Sequence, residues 1–242
     1  MKVDHRVRPG GEPCVENHVI PRLGHVRHGV AGFCIAKADK VERFISKTVV
    51  LGAGYGIGWR KFQAYLRAKG TVLADDECER IIRAYRAYHN HIVAYWGKCD
   101  WLLQQIIQGS ELDFGPFKVR DRRVYLPNGG WINYETLFWD AQERSYFRKG
   151  RNGLSRYWGG VLTENLTQAL ARVVMSQAML RVQALGHRLV MTTHDEGVWL
   201  VKDDENAEAA YEAIEAELKR TPSWAPGLPL DADGGLSKIY NK

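Results

Sequence analysis

Apolar positions along this chain repeat with two different periods, and the switches between them outline its elements. A helical spacing begins near Asp39 and runs through Arg43 and Lys47. A second opens at Asp75-Asp76-Glu77, acids that suit the positive end of a helix dipole, and continues through Ile81, Tyr85 and Tyr88 to about Gln108. A third runs from about Leu162 to Leu185, with Thr163 as its expected cap and Gly186 as its stop. Two apolar β-type runs, Arg123-Val124-Tyr125 and Trp131-Ile132-Asn133-Tyr134, flank the turn residues Leu126-Pro127-Asn128-Gly129-Gly130 and predict a β-hairpin. Leu189-Val190-Met191-Thr192-Thr193 and Val198-Trp199-Leu200-Val201 predict another, with His194-Asp195-Glu196-Gly197 at its tip. Residues 202–220 predict a surface helix with Ala209, Ile214 and Leu218 turned inward, and residues 221–229 a loop. Residues 1–36 show neither period and read as an irregular leader. The class is α+β, with no internal repeat.

The 242 residues suffice for one large domain or two small ones. Hydrophobic residues make up 45% and charged residues 26%, which excludes disorder, collagen and coiled coil. No apolar run approaches the length of a membrane span, and the N-terminal MKVDHRVRPGGEP lacks the apolar core of a secretory signal. Cys14, Cys34, Cys78 and Cys99 form no C-x-x-C pair, which suits the reducing cytoplasm. His25 and His28 have no acid or cysteine at ligand spacing and read as surface residues. The net charge of +6 favours an acidic partner. It is unevenly placed: Arg43, Lys47, Arg60, Lys61, Arg67 and Lys69 fall in a stretch without Asp or Glu, whereas residues 202–220 carry seven acids against three bases.

Two constellations carry chemistry. In the first, Arg43, Lys47, Leu51 and Tyr55 recur every four residues before Gly56. On a helix they form one stripe about 18 Å long at 1.5 Å per residue, roughly the reach of a nucleoside triphosphate. The same spacing also fits an ordinary amphipathic helix. Gly52, Gly54, Gly56 and Gly58 would each cost a helix about 1 kcal/mol, so they imply close approach of a ligand or another backbone. A competing reading takes Val49-Val50-Leu51 as a strand and Gly52-x-Gly54 as a dinucleotide loop, with Asp75 and Asp76 for the ribose; its third glycine falls on Ile57. The second constellation is His194-Asp195-Glu196. Two adjacent acids in a tight turn repel one another, and a divalent cation would relieve them; Mg²⁺ needs only one or two carboxylates when phosphate and water complete its shell.

With these in hand, the chain resembles the C-terminal part of a family A DNA polymerase, the bacterial DNA polymerase I type, in a bacteriophage-like variant. That family's nucleotide-binding helix reads R-x3-K-x3-F/Y-x3-YG, met here by Arg43, Lys47, Leu51 and Tyr55-Gly56, and its metal-binding hairpin reads HDE. Tyr157-Trp158-Gly159-Gly160 and the run from Thr163 to Arg172 are similar to the intervening palm helix, and residues 225–230 resemble phage relatives. The resemblance spans about residues 37–242. It implies a right-hand fold truncated at its N-terminal side, with helical fingers over 37–117 and part of the palm, an antiparallel sheet with helices, over 118–242.

The resemblance also implies roles. Arg43 and Lys47 bind the incoming dNTP, Leu51 packs on its sugar, Tyr55 sits beside the nascent base pair and Gly56 admits the template base. Gln168 and Arg172 contact DNA, His194 lies near the primer terminus, and Asp195 binds Mg²⁺ with Glu196 in support. The implied partners are primer–template DNA and dNTPs, and the implied place is the cytoplasm of a bacterial host. Leu51 stands where relatives carry Phe or Tyr, so sugar discrimination does not carry over. The family's other metal motif, D-Y/F-S-x-x-E, has no counterpart before Arg43, where the acids are Asp4, Glu12, Glu16, Asp39 and Glu42. The expectation is therefore half of a split polymerase whose second polypeptide carries the missing aspartate, or a silent DNA-binding remnant. Arg120, Arg122, Arg123, Arg144, Arg148, Lys149, Arg151 and Arg156 are expected to face duplex phosphate.

Overall fold

Helix α1 (Lys40–Ala53) places Ile45, Val49 and Ala53 on one face, and that face is buried against α2 (Trp59–Ala68) and α3 (Asp75–Tyr88). Phe62, Leu66, Cys78, Ile81 and Ile82 complete this core, with Phe44, Ile57 and Tyr85 packed at its edge. The computed structural model describes residues 40–240. The leader 1–36, His25, His28, Cys14, Cys34 and the expected helix start at Asp39 lie outside the described residues.

The chain divides into two compact units. One takes the chain up to Trp101 together with Trp158–Thr163; the other takes Leu102–Tyr157 and the chain from Glu164 onward. Two helices, α4 (Asn90–Gln108) and α5 (Gly159–Ala184), cross the boundary.

The expected single helix over 75–108 is two helices. α3 begins at Asp75 as the acids predict, but His89 turns out of helical geometry (φ −101°, ψ 45°). Its N–H still closes on the Tyr85 carbonyl, while its own carbonyl accepts from Ile92 and opens α4. No proline or glycine marks the break, so the apolar period runs through it unannounced.

The second unit is built on antiparallel strands. β1 (Leu112–Phe114), β2 (Phe117–Arg120), β3 (Arg123–Tyr125) and β4 (Trp131–Asn133) form one sheet in sequence order. Phe117, Val119 and Val124 point inward and are buried, as alternation requires. The expected β3–β4 hairpin is present: Gly129 takes φ +83° and the Asn128 side chain accepts from the Gly130 N–H. β5 (Leu137–Asp140), β6 (Ser145–Gly150) and β7 (Gly153–Tyr157) form a second sheet, which sequence patterning did not disclose. β8 (Arg188–Thr193) and β9 (Glu196–Leu200) form the second expected hairpin, with a register shift between Leu189 and Met191. α6 (Ala207–Lys219) follows; Ile214 is buried and Leu218 half-buried, but Ala209 is exposed, so the inward stripe is rotated from the expected one.

α5 starts at Gly159, three residues earlier than expected, and Thr163 is inside it rather than at its cap. The Thr163 hydroxyl donates back to the Gly159 carbonyl at 2.8 Å, and the residue is buried. The cap comes from elsewhere: the Asp100 carboxylate accepts the Gly159 N–H at 2.5 Å, placing negative charge at the positive helix end. Among the described residues no helix is long and apolar enough to cross a membrane.

Candidate functional site

Because α1 buries the face bearing Ile45, Ser46, Val49 and Ala53, its opposite face carries Arg43, Lys47 and Leu51, four residues apart and all exposed. Neither cation is ion-paired to another described residue. Leu51 is 59% exposed, an apolar contact beside two charges. α1 ends at Ala53, so Tyr55 lies in the turn beyond it and the four-residue stripe is not a continuous helix face. Val49–Leu51 are helical, so the strand that a dinucleotide loop requires is absent.

The glycines have physical reasons here. The Ile57 N–H closes on the Gly52 carbonyl and the Gly56 N–H on that of Ala53, both at 3.0 Å, which is the Schellman arrangement. Its left-handed position is Gly56, at φ +87°. A Cβ on Gly56 would stand 2.1 Å from the Trp158 ring, and one on Gly160 2.4 Å from the same ring. The space in front of Gly56 is thus filled by an indole of the same unit. Trp96 meets Trp158 edge to face at 5.4 Å, its N–H donates to the Gly54 carbonyl, and Arg86 donates to the Ile57 carbonyl. The turn after α1 is held on three sides. Burial, and the nearness of Tyr55, raise the Tyr85 phenol above its ordinary pKa.

In the second unit, Gln168 and Arg172 lie exposed on one stripe of α5, and Gln168 donates to Glu164 at 3.1 Å. Helix and sheets are joined by Asn165, whose amide donates to the hydroxyls of Tyr157 (2.9 Å) and Tyr134 (3.3 Å); Arg148 donates to Tyr157 from the other side. The hairpin β8–β9 turns through His194 and Asp195. His194 adopts φ +54°, a conformation His tolerates better than most non-glycine residues. Glu196 is not in the turn: it pairs with Thr193 as the first residue of β9, so the expected crowding of two acids in one tight tip is corrected. Of the two acids only Asp195 stands exposed at the tip, beside the exposed His194, and Glu196 accepts a hydrogen bond from the Tyr240 hydroxyl at 3.1 Å, which raises the tyrosine's pKa.

The basic neighbourhood of residues 120–156 divides by task. Arg122 donates to the Leu137 carbonyl and Arg148 to that of Asn133, tying the two sheets together. Arg123 pairs with Glu135 and Arg156 with Glu143. The side chains of Arg120, Arg144, Lys149 and Arg151 enter no ion pair among the described residues. Half of the expected phosphate-facing cations therefore hold the fold.

The first unit thus carries Arg43, Lys47, Leu51, Tyr55 and Gly56, and the second carries Gln168, Arg172, His194, Asp195 and Glu196. Asp195 and Glu196 offer hard oxygen donors of the kind Mg²⁺ takes, and no group of three or more metal-ligating side chains gathers among the described residues. They suit an ion whose remaining positions are filled by phosphate and water. Trp96 and Tyr240 are not distinguished by the sequence; Trp158 and Asn165 are, but only as parts of motifs. The pair Gly159-Gly160 after a Trp was the one local hint of an indole packed against backbone.

No family model and no solved structure matches the chain. A DNA polymerase of Bacillus phage SP02 is 27% identical over 215 residues, covering 81% of this chain and 32% of the relative. The chain therefore spans about a third of the length of the curated relative it matches, and over that stretch it is similar to a phage DNA polymerase.

Proposed function

We propose that this chain is a nucleotidyltransferase portion of a DNA-directed DNA polymerase of the family A type, carrying its fingers and part of its palm. The observation that supports the reading most is the likeness to a phage DNA polymerase across four-fifths of the chain. Its partners are primer–template DNA and dNTPs, and it works in the cytoplasm of a bacterial host.

Arg43 and Lys47 hold the triphosphate, and their fixed charges offset what builds up on the phosphates as the bond to the leaving group lengthens. Leu51 packs against the sugar and Tyr55 beside the nascent pair. Asp195, supported by Glu196, is the protein ligand for Mg²⁺, which when bound lowers the pKa of the primer 3′-OH and neutralises phosphate charge. The primer 3′-oxygen attacks the α-phosphate in line, and pyrophosphate leaves. Gln168, Arg172 and His194 keep the primer end aligned, since small misplacements are costly in such reactions. A second carboxylate, from residues outside those described or from another polypeptide, completes the acidic pair.

Primer extension with Mg²⁺ and four dNTPs tests this, beside Asp195→Ala. Extension lost in the variant supports the reading. Extension that survives it refutes the role of Asp195. One other reading, a DNA-binding chain without catalysis, predicts salt-sensitive DNA binding that is indifferent to Asp195→Ala, and no extension.

A further inference from the structure

The sheet β1–β4 has an outward face that its inner packing does not explain. Alternation sends Val119, Val124 and Ile132 inward, and sends Lys118, Arg120, Arg123, Tyr125 and Trp131 outward. Trp131 is 56% exposed, uncommon for a residue whose ring gains most from burial. Tyr125 lies directly opposite it in the ladder, with ring centroids 6.0 Å apart and planes tilted by 44°. A guanidinium stands over each ring: Arg120 lies 4.5 Å from the Tyr125 centroid, and Arg123 lies 5.8 Å from that of Trp131.

Aromatic rings on neighbouring strands, interleaved with cations, make a surface on which unpaired bases stack while phosphates meet charge. Two acids share the surroundings. Glu135 is engaged by Arg123 at 2.7 Å, and Asp113 lies opposite Lys118. Arg120 has no carboxylate partner among the described residues, so its charge remains available to a phosphate. Duplex DNA fits the face less well, because its bases are stacked within the helix and offer no free ring surface. A protein partner is disfavoured because the face is bordered by Lys118 and Arg120.

We infer that the outward face of β1–β4 binds single-stranded DNA, with Trp131 and Tyr125 as stacking platforms and Arg120 as the phosphate contact. The inference rests on the DNA-polymerase reading and deepens it, for it assigns a place to the unpaired part of a template.

The test is fluorescence anisotropy of the full chain with a labelled oligothymidylate and, separately, with a blunt duplex. Trp131→Leu should weaken oligothymidylate binding about tenfold, the order of one lost base stack, and leave duplex binding unchanged. Trp131→Phe, which keeps a ring, should recover most of that loss. Equal affinity in Trp131→Leu and wild type, equal losses for both DNAs, or no rescue by Phe would overturn it. Should Trp131→Leu not fold, ultraviolet crosslinking of wild type to oligothymidylate decides: crosslinks on the peptide holding Tyr125 and Trp131 support the inference, and crosslinks only elsewhere overturn it. A chain that binds neither DNA overturns the polymerase reading as well, whereas duplex binding with no response to Trp131→Leu overturns this inference alone.

Discussion

The indole N–H of Trp96 donates to the carbonyl of Gly54 at 3.2 Å, across 42 residues of sequence. Carbonyls in the last turn of a helix lack intrahelical partners, and this one is satisfied by a side chain from α4. The turn carrying Tyr55 and Gly56 is thereby anchored to the helix that also holds Asp100, the cap of α5. Trp96→Phe keeps most of the ring and removes the donor. It should cost about 1 kcal/mol in urea unfolding. A loss above about 3 kcal/mol would mean that the edge-to-face contact with Trp158 matters more than the hydrogen bond.

Gly56→Ala meets two obstacles at once, a φ of +87° and the Trp158 ring 2.1 Å from the new methyl. The left-handed conformation costs about 1 kcal/mol and overpacking about 1–3 kcal/mol. The expected destabilisation is about 2–4 kcal/mol by denaturant titration, with loss of extension activity following the loss of fold. A change within about 0.5 kcal/mol would show that the turn rearranges freely.

Arg43 and Lys47 separate function from stability, because neither touches the core. Arg43→Ala and Lys47→Ala should each leave unfolding free energy within about 0.5 kcal/mol of wild type. In steady-state incorporation, each should lower kcat/KM for dNTP by about tenfold or more, as expected for a lost charge-assisted contact. Normal incorporation in both variants would remove the stripe on α1 from the proposed site.

Arg181 sits between α5 and α6, its Nε 2.6 Å from the Glu217 carboxylate and its Nη2 2.7 Å from the Glu217 carbonyl. That hydrogen bond holds the Glu217 carboxyl below the ordinary glutamate value. A depressed folded pKa means that the unfolded chain binds the extra proton first. The stabilisation is therefore complete above the unfolded value near 4.5 and fades as pH falls through the folded one. Arg181→Met should lower stability by about 1 kcal/mol at neutral pH. The difference from wild type should shrink towards pH 3 in urea titrations across that range. A constant gap at every pH would assign the loss to packing instead.

Asn165 joins α5 to two tyrosine hydroxyls. Asn165→Leu leaves the Tyr157 and Tyr134 hydroxyls without this donor at a half-buried place, and should cost about 2 kcal/mol. Thermal unfolding monitored by circular dichroism measures it. Restoration by Asn165→Gln would point to loose geometry, and no loss would mean that water takes the position.

Several elements were legible because their cause is local. The hairpin β3–β4 is encoded in Asn128-Gly129-Gly130, since a left-handed turn residue and an Asx hydrogen bond need only their neighbours. The start of α3 lies where Asp75-Asp76-Glu77 suit a helix dipole, and α5 stops before Gly186. The Arg43–Lys47–Leu51 spacing and the His194–Asp195 turn could be read for the same reason. β5, β6 and β7 were not legible, because Phe138, Trp139, Phe147 and Arg148 mix ring and charge without a clean alternation. What keeps them in a sheet is the ladder and the arginine ties to Leu137 and Asn133.

Sequence alone determined the hairpins β3–β4 and β8–β9, the start of α3, the stop of α5, the exposed cations on α1 and the carboxylates at β8–β9, because period and turn chemistry act over four residues or fewer. Tertiary structure decided the rest. It set Trp158 against Gly56, made Thr163 an interior residue of a helix capped by Asp100, moved Glu196 from turn to strand, and spent Arg122 and Arg148 on tying two sheets together. Each of these depends on atoms brought within hydrogen-bond or van der Waals reach from distant parts of the chain, and such contacts leave no period in the sequence to read.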